Sequence, residues 1–236
     1  MKILYVFPHP DDESFGPAPA IAAQRRKGHE VYLFTLTKGE ATKQRFRLGV
    51  DKKEMGEIRY KEMQCVEKVL DLSGMTVFDL PDDNLKEMDP ADIQEVIRSQ
   101  VEKIKPDVLV TYAVHGVSGF DDHLVSHAVV KNVFCDMRRE GKEYPKRLAF
   151  YTHFSEEEAD GKFTLKSSSQ EEIDCWVEAT DADYQKFLDA LDCYETYQQV
   201  IEDSNVKEEV GTRVPFEIFQ EDFDPPLDDL SDQLEQ

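Results

Sequence analysis

The chain is poor in cysteine: four among 236 residues, Cys65, Cys135, Cys175 and Cys193, scattered with no CxxC pair. That spacing argues against a cysteine-based zinc site and a compact disulfide framework, and all four read as buried reduced thiols. No apolar run approaches the ~18 residues of a membrane span. The opening MKILYVF leads straight into an acidic loop, without the apolar stretch and cleavage site of a secretory signal, so a cytoplasmic location is expected. Positive charge is scarce too: 28 Lys and Arg face 50 Asp and Glu, a net charge of −22. Such a field repels phosphate backbones and anionic lipid, which argues against nucleic acid and membrane surfaces as partners. The charge itself reads as solubility or life at high salt. What is present suffices for a folded domain: 40% hydrophobic and 10% aromatic residues, on a chain long enough to bury a core.

Apolar runs without polar alternation predict buried strands at Lys2–Phe7, Val31–Thr37, Met75–Leu80, Asp107–Tyr112 and Arg147–His153. Helices are predicted between them at Phe15–Lys27, Met55–Leu72, Asp89–Lys103 and His123–Arg139. The third of these has an aspartate at its cap and Pro90 in its first turn. Residues 38–54 read as a long loop. Five such alternations indicate an α/β fold, Rossmann-like and doubly wound, with a mostly parallel sheet covered by helices on both faces. After residue 154 the pattern changes to short strands at Lys162–Lys166, Cys175–Ala179 and Arg213–Phe219 and a helix over Tyr184–Ile201. Residues 1–154 thus read as the core, 155–219 as a small C-terminal β/α extension of the same domain, and 220–236 as a loosely held acidic tail.

In this fold class ligands bind beyond the carboxyl ends of the strands. The first strand ends in FPHPDDESFG, where a dinucleotide-binding fold carries GxGxxG. Its acids Asp11, Asp12 and Glu13 repel phosphate and favour a cation. His9 and Asp12 supply an imidazole and a carboxylate, a mixture that suits zinc or a similar divalent ion. The loop after the fourth strand, HGVSGFDDHLVSH, adds His115, Asp121, Asp122, His123 and His127. Four of the six histidines therefore fall at two strand ends that a parallel sheet can bring together. Asp11, next to a ligand, is placed to act as general base on a water that attacks a carbonyl. HPDD on its own is also a common helix-capping turn; the second loop tips the balance.

The PHPDDES segment and the strand-end loop whose histidine opens a helix resemble the PIG-L/LmbE-like zinc deacetylases. The resemblance extends over most of the chain. It takes in Thr37-Lys38-Gly39-Glu40, the Arg59-x-x-Glu62 pair and the late helix after Asp181. It implies Zn2+, or another divalent metal, held by His9, Asp12 and His123, with Asp11 as general base and Arg59 facing substrate. It implies removal of acetyl from an N-acetylglucosaminyl conjugate, and HGVSGF points to the bacillithiol-synthesis branch, whose substrate is N-acetylglucosaminyl malate. A small amino-sugar conjugate is the expected partner, and a homo-oligomer follows from the habit of relatives. The chain departs from the pattern at Phe120, where many relatives carry a histidine that stabilises the oxyanion. His115 and His127 are the candidates to replace it, and Asp122 is expected to orient a neighbouring histidine.

Blander readings compete at several positions. Arg59 and Glu62 have the spacing of a simple helical ion pair. Asp82-Asp83 reads as a turn, His29 as a surface residue, and Trp176 as core. Two further functions stand beside the hydrolase: a metal- or sugar-binding family member with little or no turnover, motivated by Phe120, and a nucleotide-binding protein, disfavoured by the acidic first loop.

Overall fold

A short apolar run makes the first strand, β1 (Lys2–Phe7), buried along almost its whole length. Ile3, Tyr5 and Phe7 enter one core while Leu4 and Val6 enter another, so both faces of the strand need cover. The computed structural model describes residues 1–155 and 165–235. In it β2 (Glu30–Thr37), β3 (Gly74–Leu80), β4 (Val108–Tyr112) and β5 (Arg147–Tyr151) join β1 in parallel. Two late strands, β6 (Cys175–Glu178) and β7 (Arg213–Ile218), add on antiparallel, giving the order β3-β2-β1-β4-β5-β7-β6. The expected doubly wound α/β fold is present, and its extension continues the same sheet.

Helices cover both faces. α1 (Ala18–Arg26) and α3 (Lys52–Val69) contribute to the core around Ile3 and Tyr5, and so does α6 (Asp181–Asp192) through Phe187, Ala190 and Leu191. α4 (Pro90–Ile104) and α5 (Asp121–Arg139) close the opposite core with Ile93, Ile97, Val130 and Val133. The sheet order reverses between β1 and β4, which pair from Ile3↔Val108 to Tyr5↔Val110. The loops leaving these two strands therefore flank the crevice where such folds bind ligands.

Several expectations need correction. The stretch 38–54 is not all loop: it holds α2 (Gln44–Leu48) and the start of α3, which Asp51 and Glu54 close with a reciprocal capping box. The predicted helix over Tyr184–Ile201 is interrupted. α6 ends at Asp192, a 3-10 turn spans Glu195–Tyr197, and α7 (Gln198–Asp203) and α8 (Val206–Glu209) follow. The break lets the fully buried Tyr194 turn inward. Of the strand predicted at Lys162–Lys166, residues 162–164 lie outside the described residues, and Leu165 and Lys166 are not in a strand.

The tail is held rather than loose. Leu227 and Leu230 are buried, and the Trp176 N–H donates to the Leu227 carbonyl at 2.9 Å. The buried Arg147 donates to the Leu230 and Asp232 carbonyls at 2.7 and 2.9 Å and pairs with Glu221. Asp229 takes an ion pair from Lys27 and faces His29, which is thus part-buried rather than a surface residue. Finally, Cys65 and Cys193 form a disulfide across 128 residues, so only Cys135 and Cys175 are free thiols. No local spacing signals that bond; the packing of α6 on α3 creates it.

Candidate active site

Beyond β1 the chain turns sharply. The Asp11 carbonyl accepts from the Ser14 and Phe15 amides at 2.7 and 2.9 Å, and Asp11 itself lies at φ 87°, in the left-handed region. This turn points His9 and Asp12 toward the β4 side. Asp12 is fixed at both oxygens, by the His9 N–H and the Tyr112 hydroxyl, each at 2.8 Å. His123 sits in the first turn of α5 with its ring stacked on Tyr112 at 4.3 Å. Its Nδ1 donates to the Gly116 carbonyl at 2.9 Å, which leaves Nε2 facing Asp12, 3.3 Å away. Gly116 permits this approach: it adopts φ +67°, and a Cβ there would meet the His123 Cβ at 2.9 Å.

His9 is held by its far nitrogen. Nε2 lies 3.2 Å from Asp122 Oδ2 and 3.3 Å from Asp82 Oδ1, while Nδ1 is 3.5 Å from Asp12 Oδ2. Asp122 is in turn anchored by the Asp83 and Leu85 amides at 2.9 and 3.1 Å, and Asp82 by the Ala41 amide at 2.6 Å. One donor atom each from His9, Asp12 and His123 falls within 4.8 Å of the others, and so does one each from His9, Asp82 and Asp122. The first group is the better cation seat. Each of its imidazoles has its remote nitrogen bonded to an acceptor, the arrangement that fixes a ligating tautomer. The aspartates of the second group, by contrast, hold His9 in place.

The electrostatics agree. Burial would raise Asp12, but His123 and His9 outweigh it and keep the carboxylate ionised. Burial would lower His9, yet Asp12 and Asp122 pull it well above the usual imidazole range, the same field that attracts a divalent ion. Burial pushes Asp11 up to about 6 against the opposing pull of Arg59, and pushes Glu13 up to about 7.

Arg59, expected to face substrate, lies beneath the Asp11 turn. It is 1% exposed, donates to the Pro10 carbonyl and to Asp11 Oδ2 at 2.6 and 2.8 Å, and lies 3.8 Å from the centre of the Tyr197 ring. The expected ion pair with Glu62 is present at 4.0 Å, and Glu62 also accepts from the N–H and hydroxyl of Thr196. His115 joins a separate group, bonding Thr152 and Ser168, each at 3.2 Å. His127 gives its Nδ1 to the Tyr112 carbonyl at 2.9 Å and lies against Phe150. Neither belongs to the ligand group. Phe120 sets its ring edge-on to His123, with centroids 5.6 Å apart.

Sequence reasoning passed over Asp82, Tyr112 and Tyr194. Asp82 follows β3 directly, so the strand-end rule that singled out His9 was equally available there. Tyr112 and Tyr194 gave no such signal, because a buried tyrosine reads as core.

The PIG-L pattern, described as GlcNAc-PI de-N-acetylase, matches residues 4–134. A probable N-acetyl-alpha-D-glucosaminyl L-malate deacetylase 2 of Bacillus subtilis (strain 168) is 25% identical over 182 residues, covering 75% of this chain and 79% of that one. A 1D-myo-inositol 2-acetamido-2-deoxy-alpha-D-glucopyranoside deacetylase of Corynebacterium jeikeium (strain K411) is 29% identical over 163 residues; the match takes 55% of this chain and only about half, 49%, of that relative. The zinc inhibited form of teicoplanin deacetylase Orf2 superposes with a TM-score of 0.70 over 92% of this chain and 97% of that one, at 11% identity, a likeness of fold. The matched stretch contains β1 from Leu4 onward, all of β4 and every residue of the His9–Asp12–His123 group, and on that ground the chain belongs to the PIG-L family.

Proposed function

We propose that this protein is a metal-dependent amidohydrolase that removes the acetyl group from an N-acetylglucosaminyl conjugate. The observation that carries the reading is one juxtaposition: a His9–Asp12–His123 group, buried at Asp12 and His123, with a neighbouring carboxylate, Asp11, outside it and held by Arg59. His9, Asp12 and His123 are the residues that would hold the ion, and Zn2+ suits their donor types best. Such an ion supplies Lewis acidity, polarising an acyl oxygen and making water easier to deprotonate. Asp11 accepts the proton of the attacking water as the new carbon–oxygen bond forms. The same carboxyl then returns a proton to the nitrogen as the carbon–nitrogen bond breaks, so acetate and a free amine leave. Arg59 keeps the Asp11 carboxylate oriented, and Asp122 and Asp82 keep His9 in place.

Among conjugates, N-acetylglucosaminyl malate is the substrate we place first, on the likeness to the Bacillus subtilis relative. No helix among the described residues is long and apolar enough to cross a membrane. The cytoplasm stays our proposed setting, and assembly into a homo-oligomer belongs to the same reading.

The test is acetate release from a panel of N-acetylglucosaminyl conjugates, with metal content measured on the same samples. Release that stops on chelation and returns with Zn2+ is the expected outcome. Stoichiometric metal without hydrolysis of any conjugate would overturn it in favour of a binding protein, the role that Phe120 at the oxyanion position suits.

A further inference from the structure

Asp11 is gripped by a cluster that neither the ligand group nor the substrate crevice explains. Its N–H donates to Tyr194 Oη at 2.8 Å, and Tyr194 donates in turn to Glu13 Oε1 at 2.6 Å. Its carboxylate accepts from Arg59, which lies against the rings of Tyr197 and Tyr194 at 3.8 and 5.1 Å. Thr196 fastens the same segment to α3, giving its N–H and hydroxyl to Glu62 at 2.7 and 2.9 Å. Residues 194–197 thus act on Asp11 twice, directly through Tyr194 and indirectly through Arg59. A non-glycine residue at φ 87° keeps that conformation only where its surroundings hold it there.

The covalent anchor of this segment is next to it in sequence. Cys193 immediately precedes Tyr194 and is bonded to Cys65, six residues beyond Arg59 on α3. The bond stands at the junction where α6 has ended, and the Tyr194 N–H caps the last turn through the Leu191 carbonyl at 3.1 Å. Cys65 is exposed and, with Cys193, lines a surface depression shared by Lys61, Asp192 and Thr196, which opens the bond to thiols in solution. The ligand group is supported from elsewhere, by Asp122, Tyr112 and Gly116.

We propose that Tyr194 is a positioning residue for Asp11, and that the Cys65–Cys193 disulfide is its tether, so that turnover follows the oxidation state of these two cysteines. The inference rests on the reading of Asp11 as general base. The reductant is a dithiol. One thiolate attacks the exposed sulfur, the protein S–S bond breaks, and a mixed disulfide forms. The second thiol closes the reductant's own disulfide. Two electrons and two protons pass to the protein, leaving Cys65 and Cys193 as thiols.

The experiment compares the metal-loaded full chain in oxidised, dithiothreitol-reduced and reoxidised forms, together with the Cys65→Ser/Cys193→Ser and Tyr194→Phe variants. It reads kcat and KM for acetate release, metal content, melting, and amide exchange in a peptide covering residues 9–14. Reduction should lower kcat about tenfold, the scale of a slightly misplaced catalytic group, with KM within about twofold. Metal content should hold, exchange at residues 9–14 should quicken about tenfold, and reoxidation should restore all of it. The double variant should show the low kcat with no response to dithiol, and Tyr194→Phe should match it while still oxidised. Equal kcat and equal exchange in the two redox forms would overturn the inference, as would a loss that tracks released metal or unfolding. An oxidised wild type that hydrolyses nothing defeats the functional reading instead, and the exchange measurement still decides whether the tether holds Asp11.

Discussion

Asp11 and Asp12 are neighbours of one chemical type with opposite surroundings. Asp12 faces two imidazoles and stays ionised, whereas burial pushes Asp11 up to about 6 against the opposing pull of one guanidinium. A carboxyl raised toward neutrality is suited to exchanging protons, and a fully ionised one to holding a cation. Asp11→Asn keeps the shape and removes the base, so acetate release should fall by about 10²- to 10⁴-fold, the usual span for general-base loss. Metal content measured on the same preparation should be unchanged; loss of metal along with activity would show that Asp11 is a ligand. At this scale the HPDD motif was legible because its residues lie within one turn. Arg59 was not: its helix and spacing are local facts, but whether it faces solvent or Asp11 depends on α3 lying behind the β1 loop.

Helix ends show the same division. The Asp89 cap and Pro90 start of α4 were readable because a cap and its amide partners are adjacent in sequence, and the Asp89 carboxylate does accept from the Ala91 N–H at 2.9 Å. The start of α6 uses the same device. The Thr180 side chain accepts from the Asp183 N–H and donates to the Asp183 carboxylate, which also receives Arg26 from α1. Thr180→Ala should therefore cost about 1 kcal/mol, lowering Tm by about 2–4 °C for a chain of this size. Calorimetry checks the shift, and KM for acetate release should not move. The end of α6 was not readable, because no glycine or proline marks a stop between Tyr184 and Ile201, and the break is set by Tyr194 reaching Glu13 and Cys193 reaching Cys65.

Across the whole molecule, the acidic C-terminal stretch is a structural strap. Leu230 is fully buried in the core that α1 and α6 cover, and Arg147 is satisfied by two carbonyls and the Glu221 carboxylate of that stretch. Leu230→Ala should cost about 2–5 kcal/mol, the range for a truncated core leucine, visible as a lower urea midpoint. Asp229 ties the strap to α1. Burial would raise its carboxyl, but hydrogen bonds from His29, the Ser231 amide and Lys27 outweigh that and hold it well below the usual range. Its folded pKa lies below the unfolded value of about 3.9, so its contribution is complete above that pH and fades as pH falls through the folded value. The gap in urea midpoint between wild type and Asp229→Asn should accordingly be constant near neutrality and close in acid; a gap that widens in acid would reverse the assignment. The composition that made residues 220–236 read as loose was a true count of charges, but it could not show that Leu227 and Leu230 insert between elements made far earlier in the chain.

By itself the sequence determined the alternating strands and helices, the chemistry of the two strand-end loops and the family they resemble, because each of these rests on residues a few positions apart. The tertiary structure decided that His9, Asp12 and His123 converge, that Asp82 and Asp122 hold His9, that Arg59 serves Asp11, and that Cys65 meets Cys193. Those relations join positions up to 128 residues apart. They follow from the placing of β1 beside β4 and of α6 on α3, an outcome of burying both faces of one sheet that no local spacing records.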